Sequence, residues 1–390
     1  MLILKLALRN ILNAGIRTWL NVAALSFSFV AIVFLQGFYD GLNDQVERAT
    51  VDALYGGGQL WQKAYDPYDP LSIEDAHAAV PASLQGLVES KTAAPILIRQ
   101  ATIYPRGRFR SILLKGIDPS QRVLSLPTGV LNAPGEPVPA LIGTRMAKSA
   151  GLTKGDVLAV QWRDVHGTFD ARDITIVEVF SSPVPEIDNS QIWIPLDRLR
   201  QFTRMEGEAT IVVLKKDAPG PEAPSGWKFR DLGFLLRDLH ALVRMKSVSG
   251  SIMYLLLLAL AMLAIFDTQV LSIWRRRKEM GTLMALGMTR TQIIGLFTVE
   301  GALHGVLAAI AAAAYGIPLL AIVANKGLEM PSATDNFGFA IGQRLFPSYS
   351  PALVAGTALL VCLVTTVVSY LPTRKIAHLK PTDALRGRLS

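Results

Sequence analysis

The chain has one cysteine in 390 residues, Cys362. An intrachain disulfide is therefore excluded, and any folded region must stand on its apolar core. Histidine is also scarce. His77, His166, His240, His304 and His378 are scattered, with no His-x-x-x-His spacing and no paired cysteine to complete a metal site. There is no Gly-x-x-x-x-Gly-Lys-Ser/Thr run, so no phosphate loop of that kind for ATP, and no Gly-x-Ser-x-Gly elbow. Asp66-Pro67-Tyr68-Asp69-Pro70 gathers two acids, but its prolines mark a turn rather than a calcium loop. These absences point to a non-catalytic chain with no cofactor or metal of its own.

Apolar residues, by contrast, make up 51% of the chain. Four stretches are long enough to cross a bilayer as helices of roughly 20 residues: 18–38, 251–274, 291–323 and 352–372. The third exceeds a straight span and holds Pro318, which predicts a tilt or a break near its outer end. The first is too long for a cleavable signal peptide, and no small-residue cleavage site follows it.

Charge placement gives the topology. Residues 1–17 carry Lys5, Arg9 and Arg17 and no acid. The segment between the second and third stretches carries Arg275, Arg276, Arg277, Lys278 and Arg290 against Glu279, and residues 372–390 carry five bases against Asp383. Residues 40–250 are balanced, with 24 bases and 25 acids. The formal net charge of +8 is thus a topology signal, not a nucleic-acid footprint. Because Lys and Arg accumulate inside, both termini and the basic segment are expected in the cytoplasm, with the 40–250 insert and the 324–351 loop outside.

Residues 1–17 place Leu4, Leu8, Ile11 and Leu12 on one helical face, which reads as an amphipathic elbow helix in the inner interface. Residues 39–58 continue as a stalk up to Gly56-Gly57-Gly58. Across 59–227, strands are expected at Ile96–Ile98, Phe109–Lys115, Val157–Trp162, Ile174–Val179, Gln191–Ile194 and Thr210–Leu214. Helices are expected at 72–90 and 143–151, the second capped by Thr144 and stopped by Gly151. Residues 217–226 read as a loop, 228–250 as a second helical stalk and 373–390 as a tail. The expected fold is an α-helical membrane protein with four transmembrane helices and an α/β periplasmic domain inserted between helices 1 and 2.

Three groups of residues are candidate sites. The 275–290 segment is basic at its start and then carries Gly281, Ala285, Leu286 and Gly287. Its glycines permit close approach or helix ends, so it reads either as a short helix docking into a partner's groove or as a plain inside-positive loop. Asp267 and Glu300 fall inside apolar stretches, where a charge costs about 2.5–3.5 kcal/mol. They should face the bundle interior or the inner interface, either in a mechanistic role or as paired structural polar groups. Phe38, Leu42 and Val46 line one side of the first stretch and its stalk, either at a cargo entrance or in apolar packing. Gly301-x-x-x-Gly305 permits close helix packing, within the chain or between copies.

Several motifs resemble the type VII ABC transporter permeases, the superfamily of MacB, FtsX and the lipoprotein-releasing LolC and LolE. Arg276-x-x-Glu279-Met280-Gly281 with Ala285-Leu286-Gly287 is similar to that family's coupling segment. Ala7-Leu8-Arg9-Asn10-Ile11 resembles its N-terminal elbow, and Leu114-Lys115-Gly116-Ile117-Asp118-Pro119 a strand and turn of its outer domain. Ile142-Gly143 through Gly151-Leu152-Thr153-Lys154-Gly155-Asp156 resembles the lipoprotein-release group, as does Phe180–Asn189. Pro381-Thr382-Asp383-Ala384-Leu385-Arg386 resembles the family's C-terminal motif. One span, a large outer domain and three further spans is also the family's order.

The resemblance implies a multi-pass subunit of the bacterial inner membrane. It would work with two separate ATPase subunits, which carry ATP and Mg, and with a second permease copy or a paralogue. Arg276, Glu279, Gly281, Ala285, Leu286 and Gly287 would lie on the ATPase-coupling helix, with Leu385 and Arg386 in a tail nearby. The cargo implied is a lipoprotein taken from the outer leaflet toward a periplasmic LolA-like carrier. LolC-type permeases have a proline-containing hook for that carrier. The matching place here, Arg163–Asp173, is short and has no proline. MacB-like export of a peptide, antibiotic or lipid-like molecule, or FtsX-like regulation of a periplasmic partner, therefore stays open. So does a membrane scaffold with no ATPase.

Overall fold

The computed structural model describes residues 7–9, 15–133, 135–182, 184–216, 218, 220, 222–329 and 344–376. Most of the 1–17 elbow, residues 330–343 of the outer loop, and the tail with Leu385 and Arg386 lie outside the described residues. The chain forms two compact units. One is built from residues 1–43, 243–328 and 345–390, the other from 44–242 and 329–344.

The first unit is helical. Among the described residues, three helices are long and apolar enough to cross a membrane: Trp19–Tyr55, Arg290–Lys326 and Pro351–Arg374. A shorter apolar stretch, Ser251–Leu260, lies within the helix Arg237–Arg275. Of the tilt or break expected near Pro318, the break does not occur. The helix runs on to Lys326, since proline removes one ladder bond while the turns on both sides propagate. Val22, Leu25, Phe29, Val30 and Val33 of the first long helix pack with Ala308, Ala312, Val361 and Val368.

Small residues set the helix spacing in this unit. A Cβ at Gly305 would lie 2.5 Å from Thr365 Oγ1, and one at Gly316 would lie 2.7 Å from Val30 Cγ2. Gly305 is thus used for packing within the chain. A second pair with the same spacing, Gly37 and Gly41, seats an irregular segment instead. Ser348 N–H donates to the Gly37 carbonyl at 2.8 Å. A Cβ at Gly41 would lie 2.3 Å from the Phe346 carbonyl oxygen and 2.7 Å from Pro347 Cα. Backbone cannot swing away as a side-chain tip can. Gly41→Val is expected to cost at least about 1–3 kcal/mol, read as a lower melting temperature of the detergent-solubilised protein. Gly295→Ala, where nothing lies within 4 Å, is expected to change it little. Equal melting of Gly41→Val and wild type would show that residues 346–348 are not held there.

The second unit is organised around strands β1 (Gln59–Gln62), β2 (Ala78–Ala79), β3 (Ala93–Ile103), β4 (Arg110–Ile117), β5 (Val138–Gly143), β6 (Val157–Arg163), β7 (Phe169–Phe180), β8 (Gln191–Pro195), β9 (Glu208–Ala209), β10 (Ile211–Leu214) and β11 (Trp227–Arg230). Nine of them form one sheet in the order β11-β1-β10-β3-β4-β8-β5-β7-β6, and β6 pairs back onto β3. The last six therefore close into a barrel. Its pairs are antiparallel except β4–β8 and β5–β7, which are parallel. The first half of β3 pairs with β10 and the second half with β6. Leu97, Ala101, Ile103, Ile112, Leu114, Ile142, Val160, Trp162, Ile176 and Ile192 belong to one buried cluster.

Several element boundaries differ from expectation. The helix expected at 72–90 is two helices, Ser72–Asp75 and Ala82–Glu89. Pro81 cannot continue a helix from its amide side, and Ala78–Ala79 pair with β9 instead. The stalk expected from residue 228 starts later. Trp227–Arg230 pair with β1, Asp231 caps a short helix at Leu232–Leu235, and the long helix begins at Arg237. The other stalk is helical to Thr50, then makes a wider π-helical turn over Val51–Tyr55 that Gly56 ends with φ +58°. The helix near 143–151 spans Thr144–Ala150, but Thr144 does not cap it. Its hydroxyl donates to the Phe180 carbonyl at 3.2 Å.

The 163–173 connection is a tight hairpin. Asp164 accepts N–H bonds from His166 and Thr168 at 2.9 and 2.8 Å, and Gly167 takes φ +75°. The 180–189 stretch delivers a buried carboxyl, Asp188, which accepts the Arg145 N–H at 3.2 Å. Burial pushes Asp188 above the usual carboxylate range. The missing side chain at Gly143 makes room for it, since a Cβ there would lie 2.3 Å from Asp188 Oδ1.

Candidate functional site

The basic segment forms a short helix, Arg277–Ala285, between two long ones. Arg276 breaks the preceding helix with φ −94° and ψ 12°. Gly287 closes the far end with φ +98°, a conformation open chiefly to glycine. The next helix starts at once, because Thr289 and Gln292 form a reciprocal capping box.

This short helix has two unlike faces. Met280 is buried with Ile293 and Phe297, and Leu283, Met284 and Met288 pack around them. Gly281 is also buried. Lys278, Glu279, Thr282, Ala285, Leu286 and Gly287 are exposed, Leu286 to 77%.

Arg276 ties the segment to the following long helix. Its Nη1 lies 2.8 Å from Glu300 Oε2 and its Nε lies 2.8 Å from Glu279 Oε2. Its guanidinium stacks 5.0 Å from the Phe297 ring centroid. Glu300 keeps only 7% of its side chain exposed, against 61% for Glu279. Only the planar fork of Arg serves two carboxylates and an aromatic face together. His304, one turn beyond Glu300, is buried with Nδ1 2.8 Å from the Glu300 carbonyl oxygen.

The sequence-derived candidates are thus sorted by position. Glu279, Ala285, Leu286 and Gly287 share exposed surface, whereas Arg276 and Gly281 turn inward. Glu300 joins Arg276, and Asp267 is exposed on the helix Arg237–Arg275. Leu42 and Val46 are buried and Phe38 is half-buried, so the first two present no free surface. Leu385 and Arg386 lie outside the described residues. The Arg276–Glu300 pairing had one available signal, an intramembrane carboxylate in need of a cation. No spacing rule marks which of five nearby bases supplies it.

A cavity of about 380 Å³ lies in the same unit, lined by Gln36, Tyr39, Asp40, Asn43, Tyr254 and Thr357 among others. It mixes amides, phenols and a carboxylate with Leu353 and Leu360. Sequence reading did not foresee it, since its lining comes from three distant segments.

Comparison with known proteins places the chain in a class. Residues 18–223 match the MacB-like periplasmic core domain and residues 251–381 match the FtsX-like permease C-terminal. The chain belongs to this family of ABC transporter permeases, the type VII superfamily, whose members span the membrane and carry an extracellular domain. It is 22% identical over 405 residues to the lipoprotein-releasing system transmembrane protein LolC of Neisseria meningitidis serogroup B, covering 95% of this chain and 94% of that protein. It is 23% identical to the macrolide export ATP-binding/permease protein MacB of Sodalis glossinidius, covering 98% of this chain and 60% of that protein. Among solved structures, the extracellular domain of the noncanonic ABC-type transporter YknZ from Gram-positive bacteria aligns with 47% of this chain and 94% of that one, at 15% identity and a TM-score of 0.27.

Proposed function

We propose that this chain is the membrane subunit of an ATP-driven complex that extracts lipoproteins from the outer leaflet of the bacterial inner membrane. Two copies, or this chain and a paralogue, work with two separate ATPase subunits that carry ATP and Mg. Four helices cross the membrane, the fourth being the 251–274 stretch, and both termini are cytoplasmic. The helix Arg277–Ala285 faces the ATPase through Lys278, Glu279, Thr282, Ala285 and Leu286. ATP-driven closure of the ATPase pushes on that face, and the chain passes the push to its outer domain.

The single observation that carries this reading is the two-faced short helix. One face is fixed to the next long helix by the Arg276–Glu300 pair and the Met280–Phe297 cluster. The other exposes Lys278, Glu279, Thr282, Ala285 and Leu286 to solvent. A helix so held cannot yield under load, so displacement at its outer face reaches the helix behind it. Lipoprotein cargo is favoured by end-to-end similarity to LolC proteins, including that of Xylella fastidiosa at 21% identity over 91% of this chain.

The test is to purify the complex from native membranes with its ATPase made hydrolysis-dead, and to identify bound material by mass spectrometry. Triacylated lipoproteins are expected. An ATPase that co-purifies without lipoprotein would favour MacB-like export or FtsX-like regulation, the reading for which the MacB similarity speaks. If no ATPase came with the chain, the coupling role of residues 277–287 would be refuted and a scaffold role favoured.

A further inference from the structure

A cleft of about 490 Å³ in the second unit is lined by cations alone among its charged residues: Arg106, Arg108, Arg110 and Lys148. Its two walls come from different elements. One is the turn joining β3 to β4, the other the C-terminal end of the helix Thr144–Ala150. Arg106 takes φ +51° and Gly107 φ +76°, which folds the turn tightly over that helix end. The contacts are specific. Arg106 Nη2 donates to the Gly151 carbonyl at 3.0 Å and Arg110 Nη1 donates to Ser149 Oγ at 2.7 Å. None of the four cations makes an ion pair with a described residue.

Four like charges gathered without a counter-charge repel one another, so the arrangement works against stability unless an anion visits it. Beside it stands an exposed aromatic pair. Phe109 is 70% exposed and Tyr104 49%, with ring centroids 6.2 Å apart. Arginine and exposed aromatics together are the composition of protein-binding surfaces, where a ring anchors the contact and charges select the partner. A small free anion would use the charges and leave Phe109 in water.

We propose that this cleft and the Tyr104–Phe109 pair form a docking surface for a soluble partner protein that presents clustered carboxylates around an apolar contact. The surface belongs to this unit alone, so the inference holds whatever the complex carries.

A photo-crosslinking amino acid in place of Phe109, in the full-length chain in its native membrane, tests it. The expected product is an adduct with a soluble protein of acidic surface. Its yield should fall about tenfold in Arg108→Glu/Lys148→Glu, and also at high salt. Among the described residues neither of those side chains makes a hydrogen bond, and unchanged melting of the double variant is expected. Arg108→Ala/Lys148→Ala should give an intermediate yield. An adduct only with lipid or glycolipid, an adduct only with a second copy of this chain, no adduct, or a yield indifferent to the charge reversals would each overturn the proposal.

Discussion

Arg276→Ala is expected to lower the stability of the helical unit by about 3–5 kcal/mol, the cost of leaving a buried charge without its partner. Glu300, 7% exposed, would keep its carboxylate and lose the guanidinium at 2.8 Å. Arg276→Lys should recover only part of the loss. A single ammonium cannot reach Glu279 and Glu300 at once while lying flat on Phe297. The decisive variant is the double one. In Arg276→Leu/Glu300→Gln the buried charge is gone with its partner, so the penalty should be well below that of Arg276→Ala. Melting temperatures in detergent check the series. If Arg276→Ala melts with wild type, or the double variant melts as low as Arg276→Ala, the pair does not hold the short helix.

Lys115→Met is expected to stabilise the second unit at neutral pH, by about 1–3 kcal/mol. Lys115 is 5% exposed on β4, with Nζ 5.0 Å from the Trp193 ring centroid. Burial pushes its pKa down from 10.5 to about 8, with Glu186 opposing. The shift means that the folded state binds this proton more weakly than the unfolded chain does. The penalty, about 3 kcal/mol for such a shift, is fully present below pH 8. It shrinks as pH rises through the window from 8 to 10.5, where the unfolded chain still holds the extra proton, and is gone above it. Methionine keeps the volume and removes the charge, at the expense of a cation–π contact of about 1–2 kcal/mol. The measurement is the difference in melting temperature between Lys115→Met and wild type at pH 7 and at pH 10. The difference should be positive at pH 7 and should shrink or change sign at pH 10. A pH-independent difference would mean that Lys115 keeps its charge at no special cost.

Legibility differed between the two halves of the molecule for physical reasons. The long apolar helices announce themselves by composition, because hydrocarbon demands about 20 apolar residues in a row. The strands of the second unit were placed by β-branched runs, yet their closure was not. Whether β6 returns to β3 depends on register and curvature, which no local pattern encodes. The helix expected across 72–90 is interrupted at Pro81, a local signal that the sequence reading did not weigh. The short helix at 277–285 was readable from its basic start and Gly287, but which residues face outward was not. The motif places Arg276 on the coupling helix without saying which way it faces, and its partner Glu300 lies 24 residues on. Gly37 and Gly41 show the same spacing as Gly301 and Gly305, but the irregular segment they seat, residues 346–348, lies about 300 residues on, and no local pattern pairs the two.

β3 belongs to two structures at once. Its first half completes an open sheet with β10, β1 and β11, and its second half closes a ring with β4 and β6. Neither piece can come apart without withdrawing hydrogen bonds from the other, so the unit has no natural seam along which to melt in stages. The unit is therefore expected to unfold in one transition, with the amides of the open sheet and of the ring losing protection from hydrogen exchange together.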